Sequence, residues 1–178
     1  MNYAKIVDSD IVNGWGLRVS LWVCGCRRHC EGCFNEGAWD FRAGKPFDVK
    51  AYYKIFKELN EDCVRGLTIL GGEPFEPENA HILAGICEDV KKIYGNAKDI
   101  WIYSGYTLEE LLELAGRGDA HSVDVSKLLR LCDVLVDGEF VEELRDLELR
   151  FRGSSNQRII DLRASRTNGF ERIVEWES

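Results

Sequence analysis

Short apolar runs alternate with amphipathic segments along most of this 178-residue chain, and that alternation restricts the fold more than any other feature. Leu17–Val23 (LRVSLWV) is β-branched and apolar and reads as a buried strand. Residues 48–60 place Val49, Tyr52, Tyr53, Phe56 and Leu59 on one helical face. A second strand follows at 66–70. Residues 76–94 read as a helix, with Pro77 suited to its first turn and Gly95 as its stop. A third strand is expected at 100–103. Thr107 and Glu110 form a capping box that opens a helix through 115. A short helical segment at 126–131 precedes a fourth strand at 133–136. Another helix is expected at 139–147, and late strands at 157–161 and 170–176. No repeat, linker or low-complexity tract interrupts the pattern, so one domain over 1–178 is expected, with a basic C-terminal segment at 145–178.

Strands separated by helices imply parallel β/α units. A closed eight-fold barrel needs at least roughly 200 residues. An α/β fold built as a partial, open β/α barrel is therefore expected, with a doubly wound sheet as the alternative. The unusual loops all follow strands: the cysteine-rich stretch after Val23, Gly71-Gly72-Glu73-Pro74 after Leu70, Ser104-Gly105-Tyr106 after Tyr103, and Asp137-Gly138-Glu139 after Val136. Parallel strands in β/α folds present their C-terminal ends on one face, where ligands bind. Four loops are expected to converge there.

Composition sets the boundaries of the functional reading. Hydrophobic residues at 45% and charged residues at 30% fit a soluble globular chain rather than a disordered one. No apolar run approaches the ~18 residues of a membrane span, and Met1-Asn2-Tyr3-Ala4-Lys5 has no signal-peptide character. A cytoplasmic protein with no membrane partner is expected. Net charge is −8, which argues against nucleic acid as a partner. The charge is uneven: residues 145–172 hold seven arginines against four acidic residues. Such a stretch either is a solvated face or meets an anionic ligand or acidic partner.

Four of the seven cysteines, Cys24, Cys26, Cys30 and Cys33, lie within ten residues. In a chain expected to carry no leader such a cluster points to metal binding or catalysis rather than to disulfides. Cys87 and Cys132 sit in apolar periodic segments and are expected to pack as small hydrophobes. The spacing Cys26-x3-Cys30-x2-Cys33 supplies three thiolates on one compact loop. A structural zinc site is one reading, with Cys24 or His29 as fourth ligand. A ferredoxin-like carrier is another, but needs four cysteines per cluster. The third is a cluster with three protein ligands and one open position.

The Cys26-x3-Cys30-x2-Cys33 loop after a first strand, with Phe34 following, resembles the signature of radical S-adenosylmethionine enzymes. The resemblance implies that Cys26, Cys30 and Cys33 hold a 4Fe–4S cluster whose fourth iron takes the amino and carboxylate groups of S-adenosyl-L-methionine. The aromatic residue usual before the last cysteine is replaced here by Gly32, and Phe34 follows Cys33. Gly32 and Phe34 are implied to border the adenosine. The Gly71-Gly72-Glu73-Pro74 run matches the second motif of that family: two glycines allow close backbone approach, and Glu73 accepts hydrogen bonds from an ammonium group. Ser104 and Asp137 are further candidates for the cofactor site. No protein acid or base is required, so none is assigned.

Further runs narrow the resemblance. Cys30-Glu31-Gly32-Cys33-Phe34-Asn35 with Trp39, Ile102-Tyr103-Ser104-Gly105-Tyr106-Thr107, the run 133–138 (DVLVDG) and the run 152–158 (RGSSNQR) are similar to the activating enzymes of anaerobic class III ribonucleotide reductase. The match spans roughly residues 14–161. It implies reduction of the cluster by a low-potential donor of the flavodoxin or ferredoxin type, cleavage of S-adenosylmethionine to a 5′-deoxyadenosyl radical, and hydrogen abstraction from a glycine in the large reductase subunit. The alternatives are an activator of another glycyl-radical enzyme (pyruvate formate-lyase type), a small-molecule enzyme such as a deazaguanine synthase, and a zinc-stabilised binding module. An open site would admit a glycine-bearing loop, and Arg150 and Arg152 would help dock its owner.

Overall fold

The computed structural model describes residues 1–177. One mixed sheet of seven strands organises the chain: β1 Asn2–Asp10, β2 Leu17–Val23, β3 Lys45–Pro46, β4 Val64–Gly71, β5 Asp99–Tyr103, β6 Val134–Asp137 and β7 Arg158–Asp161. Their spatial order is β3-β1-β2-β4-β5-β6-β7, so β3 and β7 are edges and the sheet is not closed. The four central strands β2, β4, β5 and β6 run parallel. β1 and β7 pair antiparallel at the two flanks.

Five helices accompany the sheet: α1 Val49–Leu59, α2 Pro77–Tyr94, α3 Leu108–Ala115, α4 Ala120–Leu131 and α5 Leu162–Arg166. Because the parallel strands follow one another in a single direction, right-handed crossovers put their connecting helices on the same face. The burial pattern agrees. Val19, Leu21, Val23, Leu67, Ile69, Ile100, Ile102 and Leu135 join Ile55 and Leu59 of α1, Leu83 and Val90 of α2 and Leu128 of α4 in one core. Alternate residues point the other way. There Trp101, Val134 and Val136 pack with Tyr103, Phe151, Ile159 and Trp176 in a second, smaller cluster. That face also buries polar groups. Arg18 is fully buried, donating from Nε to Thr68 Oγ1 (2.6 Å) and pairing with Asp99 (2.6 Å).

Local chemistry explains most element ends. Asp48 caps α1 through the amide of Ala51, and Asp119 caps α4 through Ser122. The Thr107–Glu110 capping box is present in both directions. Four points of the expected element pattern need correction. Residues 139–147 are not a helix but one 3₁₀ turn, Glu142–Leu144; backbone bonds from Ser155 N to Leu144 O and from Asp146 N to Gly153 O fold the segment back on 153–155 instead. Residues 170–176 form no strand, although Asp161 N donates to Val174 O and Trp176 N to Ile159 O beside β7. β1 was not expected, since its mixed polar sequence shows no clean alternation. α4 also begins six residues earlier than the short segment at 126–131.

Candidate functional site

The loops after β2, β4, β5 and β6 meet at the C-terminal ends of the parallel strands and enclose a cleft of about 440 Å³. Its floor is one row of side chains across adjacent strands, Trp22, Leu70 and Tyr103, held level by the parallel register. Cys26, Cys30, Cys33 and Phe34 form one wall. Gly71, Gly72, Glu73, Ser104 and Gly105 form an adjoining one. Phe140, Leu149, Phe151, Arg152 and Gln157 approach from the C-terminal segment.

The cysteine loop is tied at its base. Gly25 and Cys26 donate backbone N–H groups to Ala38 and Trp39, and His29 stacks on Trp39 with ring centroids 4.5 Å apart. Cys26, Cys30 and Cys33 are half-buried free thiols, and burial raises the Cys26 thiol above its ordinary range. Cys24 lies beneath the loop, buried, and does not line the cleft. Cys87 and Cys132 are buried in the core with sulfurs 4.0 Å apart. Among the described residues, no three His, Cys, Asp or Glu side chains are grouped as a clasp for a single metal ion. Phe34 is 76% exposed and meets Trp22 edge-on at 6.2 Å. Gly32 sits outside the lining, in a left-handed turn (φ 69°) against Glu142.

The adjoining wall is built from backbone. Gly71 has φ 119°, and a Cβ there would stand 2.5 Å from Val23 O. A Cβ at Gly72 would stand 2.5 Å from Gly25 O. Only glycines let this turn lie against the base of the cysteine loop. Gly72 N donates to Val23 O and Glu73 N to Gly25 O, both at 2.8 Å, which stitches the two loops together. Asn79, fully buried on α2, completes the seam by donating to Cys24 O (3.0 Å) and Glu73 O (2.9 Å).

Glu73 is the buried anion of this wall, 1% exposed. Its carboxylate accepts from Phe75 N (3.0 Å), Gly105 N (2.8 Å) and Ser104 Oγ (3.0 Å). Burial pushes its pKa up to about 7, against the pull of those three donors and the Arg28 charge. Ser104 therefore lines the cleft and orients Glu73. Asp137 does neither. It is buried behind the cleft, where it accepts from Leu108 N (2.7 Å) and is bound by Arg158.

Arg28, Asn79, Trp22 and the C-terminal lining residues were not singled out from the sequence as site residues. Isolated polar or aromatic residues carry no spacing signal. Arg152, expected at a docking face, lines the cleft and donates to Gln157 O at 2.7 Å. Arg150 is exposed. Three other arginines of the basic stretch serve the fold: Arg158 binds Asp137 and Glu109, Arg163 pairs with Asp133, and Arg166 donates to Leu129 O and Cys132 O.

The donor set suits an iron–sulfur cluster with a ligand beside it. Three thiols open onto one cleft, and two glycines give backbone access to it. Trp22 Nε1, Arg28 Nε and Tyr103 Oη, all on lining residues, are buried polar atoms without a protein partner. Such atoms mark places where a ligand completes the hydrogen bonding.

Comparison with known proteins agrees with this arrangement. Residues 12–160 match the family described as "4Fe-4S single cluster domain". The chain is 40% identical over 159 residues to a Pasteurella multocida protein named anaerobic ribonucleoside-triphosphate reductase-activating protein, covering 88% of this chain and 95% of that one. The Escherichia coli K12 protein of the same name is 38% identical over 167 residues, 92% and 100% of the two chains. The phage T4 protein of that name is 35% identical over 159 residues, 89% and 93%. Identity at this level, sustained over nearly the whole length of each relative, makes this chain a member of the anaerobic ribonucleoside-triphosphate reductase-activating protein family, built on a 4Fe-4S single cluster domain.

Proposed function

We propose that this chain activates an anaerobic ribonucleoside-triphosphate reductase by installing a glycyl radical on its large subunit, using a 4Fe–4S cluster and S-adenosylmethionine. The single observation that carries this reading is the convergence of Cys26, Cys30, Cys33 and Glu73 on one cleft at the strand ends. The names of the relatives support the choice of partner. A one-faced helical layer, four parallel strands and a polar buried opposite face support a partial barrel of the radical S-adenosylmethionine type.

In this reading Cys26, Cys30 and Cys33 hold the cluster as thiolates. When bound, the cluster and its sulfonium ligand supply one-electron cleavage of a carbon–sulfur bond, and so the radical that takes hydrogen from glycine. The protein supplies position. Glu73 accepts from the amino group of the methionine end, and Gly71 and Gly72 let the Glu73 turn lie against the base of the cysteine loop. Ser104 holds the Glu73 carboxylate at a fixed angle through its 3.0 Å bond. Phe34 borders the adenosine, whereas Gly32 stands outside the lining and shapes the turn that carries Cys33. Asp137 contributes by anchoring the loop after β6 rather than by touching ligand. Trp22, Leu70 and Tyr103 give the cleft an apolar floor that limits water near the reacting atoms. A low-potential flavodoxin or ferredoxin is the electron donor, and the cytoplasm is the compartment; no described helix is long and apolar enough to cross a membrane.

Anaerobic reconstitution tests the proposal. Wild-type protein should bind about four irons and four sulfides per chain. With a reductant and S-adenosylmethionine it should produce a glycyl-radical EPR signal on the anaerobic reductase. Substituting any one of Cys26, Cys30 or Cys33 by Ser should abolish that signal and cut iron content. A signal only on a pyruvate formate-lyase type partner, turnover of a small molecule without a protein partner, or one zinc without sulfide would each overturn it.

A further inference from the structure

A row of aromatic side chains leads from the cleft floor, through the smaller core cluster, to the far end of the sheet. Tyr103 lines the cleft, and Trp101 stands two residues before it on β5, so the two share one face of the strand and pack in the same cluster. Trp101 is 1% exposed and meets Trp176 edge-on, with ring centroids 4.9 Å apart. Trp176 in turn lies 6.2 Å from Trp15. Trp15 directly precedes β2, at the N-terminal end of the parallel strands, and is 46% exposed. The row thus begins at a phenol on the cleft and ends at an indole in contact with solvent. Tyr103 Oη is buried and has no hydrogen-bond partner. Buried tyrosine hydroxyls usually find one. A group left without one calls for an explanation, and a redox role is among those that serve. Phenol and indole rings give up single electrons far more readily than aliphatic side chains do. Arg18, 5.4 Å from the Trp101 ring centroid, would oppose an electron hole there, but Asp99 pairs with it at 2.6 Å and offsets its charge.

We propose that Tyr103, Trp101, Trp176 and Trp15 form a quenching path that disarms a carbon radical left in the cleft when no glycine is there to meet it; this rests on the cofactor reading above. The Tyr103 O–H bond breaks, and its hydrogen atom closes the radical as a new C–H bond. The phenoxyl left on Tyr103 recovers an electron from Trp101 and a proton from solvent. The electron deficit passes to Trp176 and then to Trp15. There a small thiolate in solution is oxidised by one electron, and two such oxidised thiols join as a disulfide. In sum, one radical, one electron and one proton become a C–H bond. The path spares the site from attack by its own product, a competing reaction that such a protein must exclude.

The test uses cluster-loaded protein with S-adenosylmethionine and dithionite in thiol-free D₂O, without the reductase; dithionite then takes the place of the thiolate. A phenol hydrogen exchanges with solvent and a C–H hydrogen does not. The 5′-deoxyadenosine made by wild type should therefore carry deuterium, read by mass spectrometry per molecule of product and so independent of rate. In Tyr103→Phe the deuterated fraction should fall severalfold, and an unchanged fraction overturns the proposal. Freeze-quenched EPR reads the rest of the path. Trp101→Phe, and the less buried Trp176→Phe, should let a tyrosyl signal persist severalfold longer than in wild type, and adding Tyr103→Phe should remove it. A lifetime unchanged in Trp176→Phe, no tyrosyl signal there, or a signal that survives Tyr103→Phe overturns the path. Wild type that forms no 5′-deoxyadenosine at all instead overturns the cofactor reading itself.

Discussion

Glu73 shows how one side chain couples the fold to its ligand. Its carboxyl titrates near 4.5 in an unfolded chain and near 7 when buried. Between those values the folded protein keeps a proton that the unfolded chain has released, so stability falls as pH rises through this window. The loss is on the order of 3 kcal/mol across it. Urea unfolding of the cluster-free protein from pH 4.5 to 8 should show this decline, and Glu73→Gln should flatten it. An equal slope in both proteins would refute the assignment. A cation bound against Glu73 reverses the balance, because it favours the charged form. The three cysteines and the Gly-Gly-Glu turn were legible in the sequence because chemistry imposes their spacing. Arg28 was not, because nothing in its neighbours distinguishes it from a surface arginine until Gly105 and Glu73 are brought against it.

At the scale of elements, the site is held by a few ties between loops. Asn79 of α2 joins the cysteine loop to the Glu73 turn through two carbonyls. Asn79→Ala strands both acceptors in a buried place and should cost about 2 kcal/mol. It should also speed cluster loss on dilution into chelator, followed by the visible absorbance. Asp137 links β6 to the start of α3 and, through Arg158, to β7. Arg158→Ala leaves that carboxylate buried with a single backbone donor and should destabilise by about 3 kcal/mol in thermal or urea unfolding. A loss below about 0.5 kcal/mol would show the pair to be dispensable. The Thr107–Glu110 box was readable locally, since all its partners lie within four residues. The 139–147 segment was misread for the opposite reason: its partners, Gly153 and Ser155, lie on a different stretch of chain.

For the whole molecule, an acidic protein presents its only concentration of arginines in the C-terminal region. Structure divides that region. Arg158 and Arg166 are internal ties, Arg163 is exposed but paired with Asp133 at 3.5 Å, Arg152 faces the cleft, and Arg145, Arg150 and Arg172 are exposed without an ion pair among the described residues. Docking by charge therefore falls to the last three. Arg150→Glu should slow activation of the reductase severalfold, most at low salt, while leaving S-adenosylhomocysteine binding unchanged. Kinetics that match wild type at low salt would remove Arg150 from the interface.

The amino-acid sequence alone determined the features written in local or regular spacing. These are the alternation of strands and helices, the helix caps, the Cys26-Cys30-Cys33 triad and the glycines that precede Glu73. Each needs only neighbours along the chain to declare itself. Tertiary structure decided which of these features share a cleft, that Arg152 and Arg28 belong to it, and that Asp137 stands behind it. Those outcomes depend on strand order and on contacts between residues far apart in sequence, such as Cys24 with Asn79 and Asp137 with Arg158, and such pairings exist only once the sheet is assembled.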